Sequence, residues 1–575
     1  MKPIVLVALL AAAVIAIGSL QLTRPGYSVD EEFTVFAVRG IQAHGLPVLP
    51  SGLLYDRGIA YSYASWLAGA MAGSELPAFR AVSLVSASLC VLLTFFLVRR
   101  ATDDAAGIVA SLFVTASVPF WATATTARFY APFLGAYLLA VYFLTHRHWW
   151  IGLLAAAVLA RLTHELAFTL AVIPFACWLL EDRSERRRWV HAALSVVAGL
   201  VIGQAILFAL HASMPSSGDT MVRRFFLWQV LNLFERPGDR QFGIPLVVMV
   251  IGWLIAPRRA WSVSVIALSI AAAIFAFSLA RASNTAPVNL ALIKDIALEG
   301  SHYPLDMLWH IVRATPLTIT IVMSLMLARL QRGDWTRRER ALHALWIGWV
   351  VWFGVIESGI TTNYLLLPTA FMLMAIANDA MVVPITNEGE EHLAYDPDYV
   401  TPTWTRVTVV ALMLLFVGVD QWRDHAWARA RPTIVADGID GIRDSLQPND
   451  RVVCTDELGC LMLVGRIDRW LALDNYVRER FLVKRGDGPV TGVYTGVPAI
   501  FRPADVFAPN PDGSSPNRIL IVDIFKDYPI GNSRFWLPKA IEEDGVKVVP
   551  LLETAQLRVV EASAPERVVS LQPSP

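Results

Sequence analysis

Charge is scarce in this chain: Asp, Glu, Lys and Arg make up 17% of its 575 residues, while 55% are hydrophobic. A soluble protein of this length carries nearer a quarter of its residues as charges. The 48 basic and 48 acidic residues cancel, so no basic footprint points to nucleic acid as a partner. Cysteine is also scarce, and two of the four, Cys90 and Cys177, lie inside apolar runs. C-x-x-C and zinc-type spacings are missing, which leaves no metal site to be read from cysteine. Repeats of solenoid period are missing too.

What the chain has is apolar length. Runs of roughly 18 to 22 residues cross a hydrocarbon core of about 30 Å at helical rise. The first, from Pro3 to about Leu22, follows Lys2 and lacks a convincing signal-cleavage site, so it is expected to remain as a span. Further runs are centred within residues 78–98, 105–122, 129–145, 149–161, 166–180, 190–210, 241–256, 261–280, 306–328, 341–357, 364–383 and 404–419. The expectation is a polytopic α-helical membrane protein of about thirteen spans.

Arginine-rich loops set its orientation, because Lys and Arg are retained in the cytoplasm. Arg99 and Arg100, Arg147, the cluster Arg183 to Arg188, Arg258 and Arg259, and Arg332 to Arg340 fall in alternate loops. The stretch from Trp149 to Leu180 has basic loops at both ends and suits two short spans broken at Arg161-Leu162-Thr163-His164-Glu165. Arg223, Arg224, Arg236 and Arg240 break the alternation, through an anionic partner outside or a miscounted span. An odd count places everything after about Asp420 outside. There the apolar runs shorten to strand length, as in Arg451-Val452-Val453-Cys454 and Arg518 to Asp523, between turn-rich segments. The expected division is a membrane domain over 1–420, with an outer loop at about 23–77, and an extracytoplasmic soluble α/β domain over 421–575. Cys454 and Cys460 fall in the outer domain, where they either pair or remain two thiols. The location implied is the plasma (inner) membrane, multi-pass.

The outer loop is too polar to span and too apolar to be a plain connection, and is expected to lie as amphipathic segments on the membrane surface. After Tyr27-Ser28-Val29-Asp30-Glu31-Glu32, the residues Phe33, Phe36, Ala37 and Ile41 recur at helical spacing until Gly45 stops the run. Acids in a first turn complement the helix dipole, and Ser28 with Glu31 can form a capping box. A carboxylate at a membrane surface can also accept a proton from an attacking hydroxyl; Asp30 is the first candidate base and Glu31 the second. A phosphate leaving group would need cations close by. Arg57 in Tyr55-Asp56-Arg57-Gly58, Arg80, and Arg128 in Ala127-Arg128-Phe129-Tyr130 fall near the outer face, with Arg161, His164 and Glu165 beside them if the two-span reading holds. Each arginine has an alternative role, snorkelling to lipid phosphate. His302, Tyr303 and Asp306 are weaker candidates.

These pieces, in this order, resemble the family 39 type glycosyltransferases: the protein O-mannosyltransferases and their bacterial relatives, including the aminoarabinose transferase of lipid A. The likeness rests on Asp30-Glu31 after the first span, Gly45-Leu46-Pro47, Ser51 to Gly58, Ala127 to Ala131, and Asn363-Tyr364-Leu365-Leu366-Leu367-Pro368 farther on. The resemblance implies a type C (GT-C) fold, a polyprenyl-phosphate-linked sugar as donor, and a lipid, glycan or protein acceptor, with membrane lipids around it. It implies Asp30 as the catalytic carboxylate, and Arg57 and Arg128, with Tyr55 and Tyr130 in the same motifs, near the carrier phosphate. Thr126 stands where the family often has an acid and Asn363 where it often has Arg; no cofactor is assigned, and a divalent metal stays open. A transporter or lipid flippase is the competing reading, though transporters place ionisable groups at the midplane of repeated, broken helices. A non-catalytic assembly protein is a third. No glycine-rich phosphate loop follows a strand, which disfavours a nucleotide-sugar donor.

Overall fold

The structure is a computed structural model that describes residues 2–28, 30–73, 75–146, 149–180, 183–212, 316–332, 337–351, 366–382, 434, 438–473, 481–484, 488–509, 513–524, 533–554 and 557–563, with 264, 265, 268, 269, 411 and 415. Arg147, Arg223, Arg224, Arg236, Arg240, Arg258, Arg259, His302, Tyr303, Asp306 and Asn363 lie outside these residues, as do all or most of the expected spans at 241–256, 261–280 and 404–419.

In chain order the described helices are α1 (Pro3–Ser19), α2 (Glu31–His44), α3 (Ile59–Ala72), α4 (Leu76–Ala101), α5 (Asp104–Ala116), α6 (Val118–Ala124), α7 (Tyr130–Leu144), α8 (Trp150–Thr163), α9 (Val172–Leu180), α10 (Arg183–Ala212), α11 (Pro316–Arg332), α12 (Arg337–Val351), α13 (Leu366–Val382), α14 (Ile439–Ser445), α15 (Glu457–Leu463) and α16 (Ser533–Glu543). They fall into two compact units. One joins the described residues of Met1–Leu22, Pro77–Ala209 and Arg224–Ala428; the other joins those of Thr23–Leu76, Leu210–Arg223 and Arg429–Pro575. The outer loop thus groups with the C-terminal residues and not with the helices that flank it in sequence, a different division from a cut near residue 420.

The helical unit is built on an apolar core. Phe95 and Val91 of α4, Phe113 of α5, Leu134 and Tyr137 of α7, and Phe371 and Met372 of α13 all sit in one buried cluster. Leu76–Ala101 and Arg186–His211 are long and apolar enough to cross a membrane, and α5 with α6, bent by 68°, would be a third span as a broken pair. Other apolar helices are shorter, among them Pro3–Ser19, Tyr130–Leu144 and Trp150–Thr163. One end of this bundle collects basic loops: Arg100 donates to the Thr145 carbonyl at 2.7 Å and Arg188 to that of Leu144 at 3.1 Å. Both carbonyls end α7, where cations complement the dipole. Buried polar groups here are knotted together. His343 Nδ1 accepts from the Trp346 indole at 3.0 Å, which leaves Nε2 to donate to Asp379 at 2.9 Å. Asn378 donates to the other Asp379 oxygen and contacts Thr102. A network satisfied in this way is tolerated in an apolar interior.

The second unit carries a six-stranded sheet in the order β5-β2-β1-β6-β8-β7, formed by β1 (Arg451–Cys454), β2 (Arg469–Leu471), β5 (Ala499–Ile500), β6 (Ile519–Ile524), β7 (Lys547–Glu553) and β8 (Leu557–Ser563). Strands β5, β2, β1 and β6 run parallel, with Arg451 opposite Ile519, while β8 and β7 add antiparallel. A separate hairpin pairs β3 (Leu482–Lys484) with β4 (Val490–Gly492). Every residue of β1 and β6 is buried, as expected of central strands covered on both faces. Cys454 and Cys460 are joined as a disulfide with their Cα atoms 6.2 Å apart.

The loop is part of this unit's core. Tyr27 pairs with Ile434 through two backbone hydrogen bonds of 3.2 and 2.9 Å, and its ring joins the cluster of Val452, Cys454 and Val522. The apolar face of α2 (Phe36 and Ala37) packs with Leu49, Leu53 and Tyr55 against Leu458 and Val493. The periodicity that suggested a membrane-surface helix therefore faces protein. Gly40 is needed at this contact, since a Cβ there would lie 2.2 Å from the Val48 carbonyl oxygen. Gly45, at φ 75°, closes α2 in the left-handed conformation and donates to the Ile41 carbonyl at 2.8 Å.

Candidate active site

The three acids that open α2 differ in what they can do. Glu31 and Glu32 are fully buried, whereas Asp30 is partly exposed. Glu31 Oε2 accepts from the Ser28 amide at 2.7 Å, and its other oxygen lies 4.0 Å from Arg24; because the helix starts at Glu31, this is not the capping box that the Ser28–Glu31 spacing allowed. Asp30 occupies the cap position itself, at φ 73° and ψ −4°, and is the one non-glycine residue with positive φ among the described residues. Left-handed backbone costs an ordinary L-residue about 1–2 kcal/mol, less for Asp and Asn. Such outliers persist where the surroundings over-determine them, often at active sites.

Arg57 and Tyr55 come to the same place through the turn that leads into α3. Tyr55 is held by its amide, which donates to the Pro47 carbonyl at 2.7 Å, and by its ring, stacked 5.6 Å from Phe33 at 15°. Asp56 between them is buried and lies 3.6 Å from His211 of the same unit. Phe33 also meets the ring of Tyr494 edge-on at 4.8 Å. Burial pushes the Tyr494 phenol well above the usual tyrosine range; Arg57 opposes this, while Glu457, Tyr55 and Asp30 add to it. Asp30, Tyr55, Arg57 and Glu457 thus all act electrostatically on one phenol.

Glu457 opens α15 and is 3% exposed. It accepts from the Thr495 hydroxyl, from the Thr495 amide at 3.2 Å and from the Tyr494 amide at 3.4 Å. Burial pushes its carboxyl up to about 7, more than these hydrogen bonds lower it, and Asp456 raises it further. From the loop side Ser51 donates to the Val493 carbonyl at 2.7 Å, and its amide donates to that of Tyr494 at 3.0 Å.

The other candidates lie in the helical unit. Arg128 is 4% exposed and rests on the faces of Phe129, at 4.6 Å, and Tyr130, at 5.8 Å. His164 packs 5.0 Å from Phe129, so Arg128, Tyr130 and His164 gather around that ring. Helix α8 stops at Thr163 and His164 is extended, its Nδ1 accepting from the Leu166 amide at 3.0 Å; the chain breaks where the sequence placed a break. Arg161 turns to Gln204, bonding its oxygen at 3.0 and 2.6 Å, and to the face of Phe168 at 5.0 Å. Arg80 is buried and donates to the Leu22 carbonyl at 3.0 Å beyond α1.

The structure therefore brings Asp30, Glu31, Tyr55 and Arg57 into one unit, and Arg128, Tyr130, Arg161 and His164 into the other. Glu457, Tyr494 and Thr495 were not found from sequence, and no local motif marks them. Among the described residues, no group of three or more His, Cys, Asp and Glu is placed to hold a metal ion.

Residues 56–210 match the family model described as dolichyl-phosphate-mannose-protein mannosyltransferase. Arg57, Arg128, Arg161 and His164 fall inside the matched segment, and Asp30, Glu457 and Tyr494 outside it. Among solved structures, the chain is similar to ArnT from Cupriavidus metallidurans bound to undecaprenyl phosphate, at 14% identity over 96% of this chain and 97% of that one, with a TM-score of 0.46. It is also similar to the oligosaccharyltransferase AglB from Archaeoglobus fulgidus in complex with an inhibitory peptide and a dolichol-phosphate, at 13% identity over 98% of this chain and 75% of that one, with a TM-score of 0.49. No curated protein matches the sequence.

Proposed function

We propose that this chain is a type C glycosyltransferase that moves a sugar from a polyprenyl-phosphate carrier to an extracytoplasmic hydroxyl of a lipid, glycan or protein, with Asp30 as general base. The observation that carries this is Asp30 itself: the partly exposed acid of its cluster, in left-handed backbone, in the turn before Phe33, whose ring stacks on Tyr55 of the Arg57 motif. The acceptor oxygen attacks the anomeric carbon as Asp30 takes its proton, and the bond from that carbon to the carrier phosphate breaks. The electron pair leaves on the phosphate, where guanidinium groups offset the growing charge. Arg57 and Arg128 supply that charge in this reading, with Tyr55 and Tyr130 lining the carrier site and Arg161 and His164 supporting it. Glu31, committed to the Ser28 amide, holds the helix start.

The proposed setting is a multi-pass protein of the plasma membrane with about thirteen spans, a cytoplasmic N-terminus and an outer C-terminal domain. Arg100 and Arg188 at one end of the bundle support this orientation. The test uses purified protein in lipid with a panel of labelled polyprenyl-phosphate sugars. Asp30→Asn keeps the backbone conformation and the shape but cannot act as a base at neutral pH. Transfer should fall by about a hundredfold or more while carrier binding persists; near-normal transfer would overturn the assignment.

A further inference from the structure

The C-terminal domain does more in this site than cover it. Tyr494 stands in the turn after β4, and that turn is fastened at three points. Glu457 accepts from the Tyr494 and Thr495 amides and from the Thr495 hydroxyl. Ser51 bonds it from the loop side. The ring is fixed edge-on to Phe33, which itself stacks on Tyr55, and packs against Phe481 at 5.6 Å. Glu457 itself lies within the segment that the Cys454–Cys460 disulfide closes. So much fastening of one ring, joined through Phe33 to the Tyr55-Asp56-Arg57 turn, is unexplained by the transfer chemistry given above.

We infer that Tyr494 is a ligand of the carrier phosphate contributed by the C-terminal domain, and that Glu457 is the positioning residue that holds it there through the Tyr494–Thr495 turn. The inference rests on the carrier reading of Arg57. A phenol is a neutral donor, and an anion at a guanidinium can accept from both groups at once. Burial keeps the phenol protonated and so preserves the hydrogen that it donates. An acceptor hydroxyl would be served better by Asp30 alone, which takes a proton where Tyr494 gives a hydrogen bond.

The experiment measures binding of undecaprenyl phosphate to the full-length protein in lipid nanodiscs. Tyr494→Phe keeps the ring against Phe33 and removes only the hydroxyl, so affinity should weaken about tenfold, the worth of one hydrogen bond to a charged group. Glu457→Ala should weaken it similarly, while Glu457→Gln, which retains an acceptor for Thr495, should stay within about twofold of wild type. If Glu457 acts through Tyr494, the double variant Tyr494→Phe/Glu457→Ala binds no more weakly than the weaker single one. Wild-type affinity in Tyr494→Phe, or two losses that multiply in the double variant, would overturn the inference. Arg57→Ala separates the two levels. Weakened binding there with unchanged binding in Tyr494→Phe overturns this inference alone, whereas unchanged binding in Arg57→Ala overturns the carrier reading and this inference with it.

Discussion

In the helical unit two buried cations have neutral groups among their partners: Arg128 the faces of Phe129 and Tyr130, Arg161 the Gln204 amide oxygen and the face of Phe168. In the unit built on the sheet, which holds Arg57, three acids are each held in their own way. Glu31 is fixed by the Ser28 amide, Glu457 by the Thr495 turn, and Asp30 by a backbone conformation. Aromatic faces and amides do not cancel the charge of a guanidinium. The sheet unit uses Glu31 and Glu457 as structural acceptors and leaves Asp30 partly exposed. Sugar transfer from a phosphate needs both kinds of group, a cation for what leaves and a base for what attacks.

The sharpest way to break this contrast is to remove the exposed acid. Asp30→Asn should lower transfer by about a hundredfold or more with little change in carrier affinity, read from rates and binding in the same lipid preparation. Removing cations should do the reverse in kind: Arg128→Ala and Arg57→Ala are each expected to weaken undecaprenyl-phosphate binding by about tenfold, with turnover falling alongside. A loss confined to turnover in Arg128→Ala would erase the distinction between the units.

A smaller effect separates the structural acid from the exposed one. Burial raises the Glu457 carboxyl to about 7 from the usual carboxylate range. The folded state therefore binds more protons than the unfolded chain between about pH 4.5 and 7, and this group's contribution to stability falls as pH rises through that window. Melting curves of wild type and Glu457→Gln should diverge across the window, with wild type losing ground as pH rises; parallel curves would mean the carboxyl is not buried as described. The smallest expected effect is at the surface. Arg39 and Glu75 form an exposed bidentate pair at 3.0 and 2.8 Å, and Arg39→Ala should change stability by less than about 1 kcal/mol and leave transfer unaltered.

Local physics made much of this legible in advance. Apolar run length marked α4, α7 and α8 to within a few residues, and the spacing of Phe33, Phe36, Ala37 and Ile41 with Gly45 after them marked α2. The strand at Arg451–Cys454 was readable from its unbroken apolar character. What α2 packs against was not, because an apolar stripe has the same period whether it meets lipid or protein. Glu457, Tyr494 and Thr495 escaped for a related reason. They lie far in the chain from Asp30 and Arg57, and contacts such as Tyr27 with Ile434, Ser51 with Val493 and Phe33 with Tyr494 bring the two segments together.

The left-handed backbone of Asp30 also restricts what can replace it. At φ 73°, only Gly, Asn and Asp sit without appreciable strain, and of these only Asp carries a charge. Fold and chemistry thus select the same residue for unrelated reasons. Under the proposed function, a relative that has drifted to Gly or Asn here would keep its architecture and lose the proposed base.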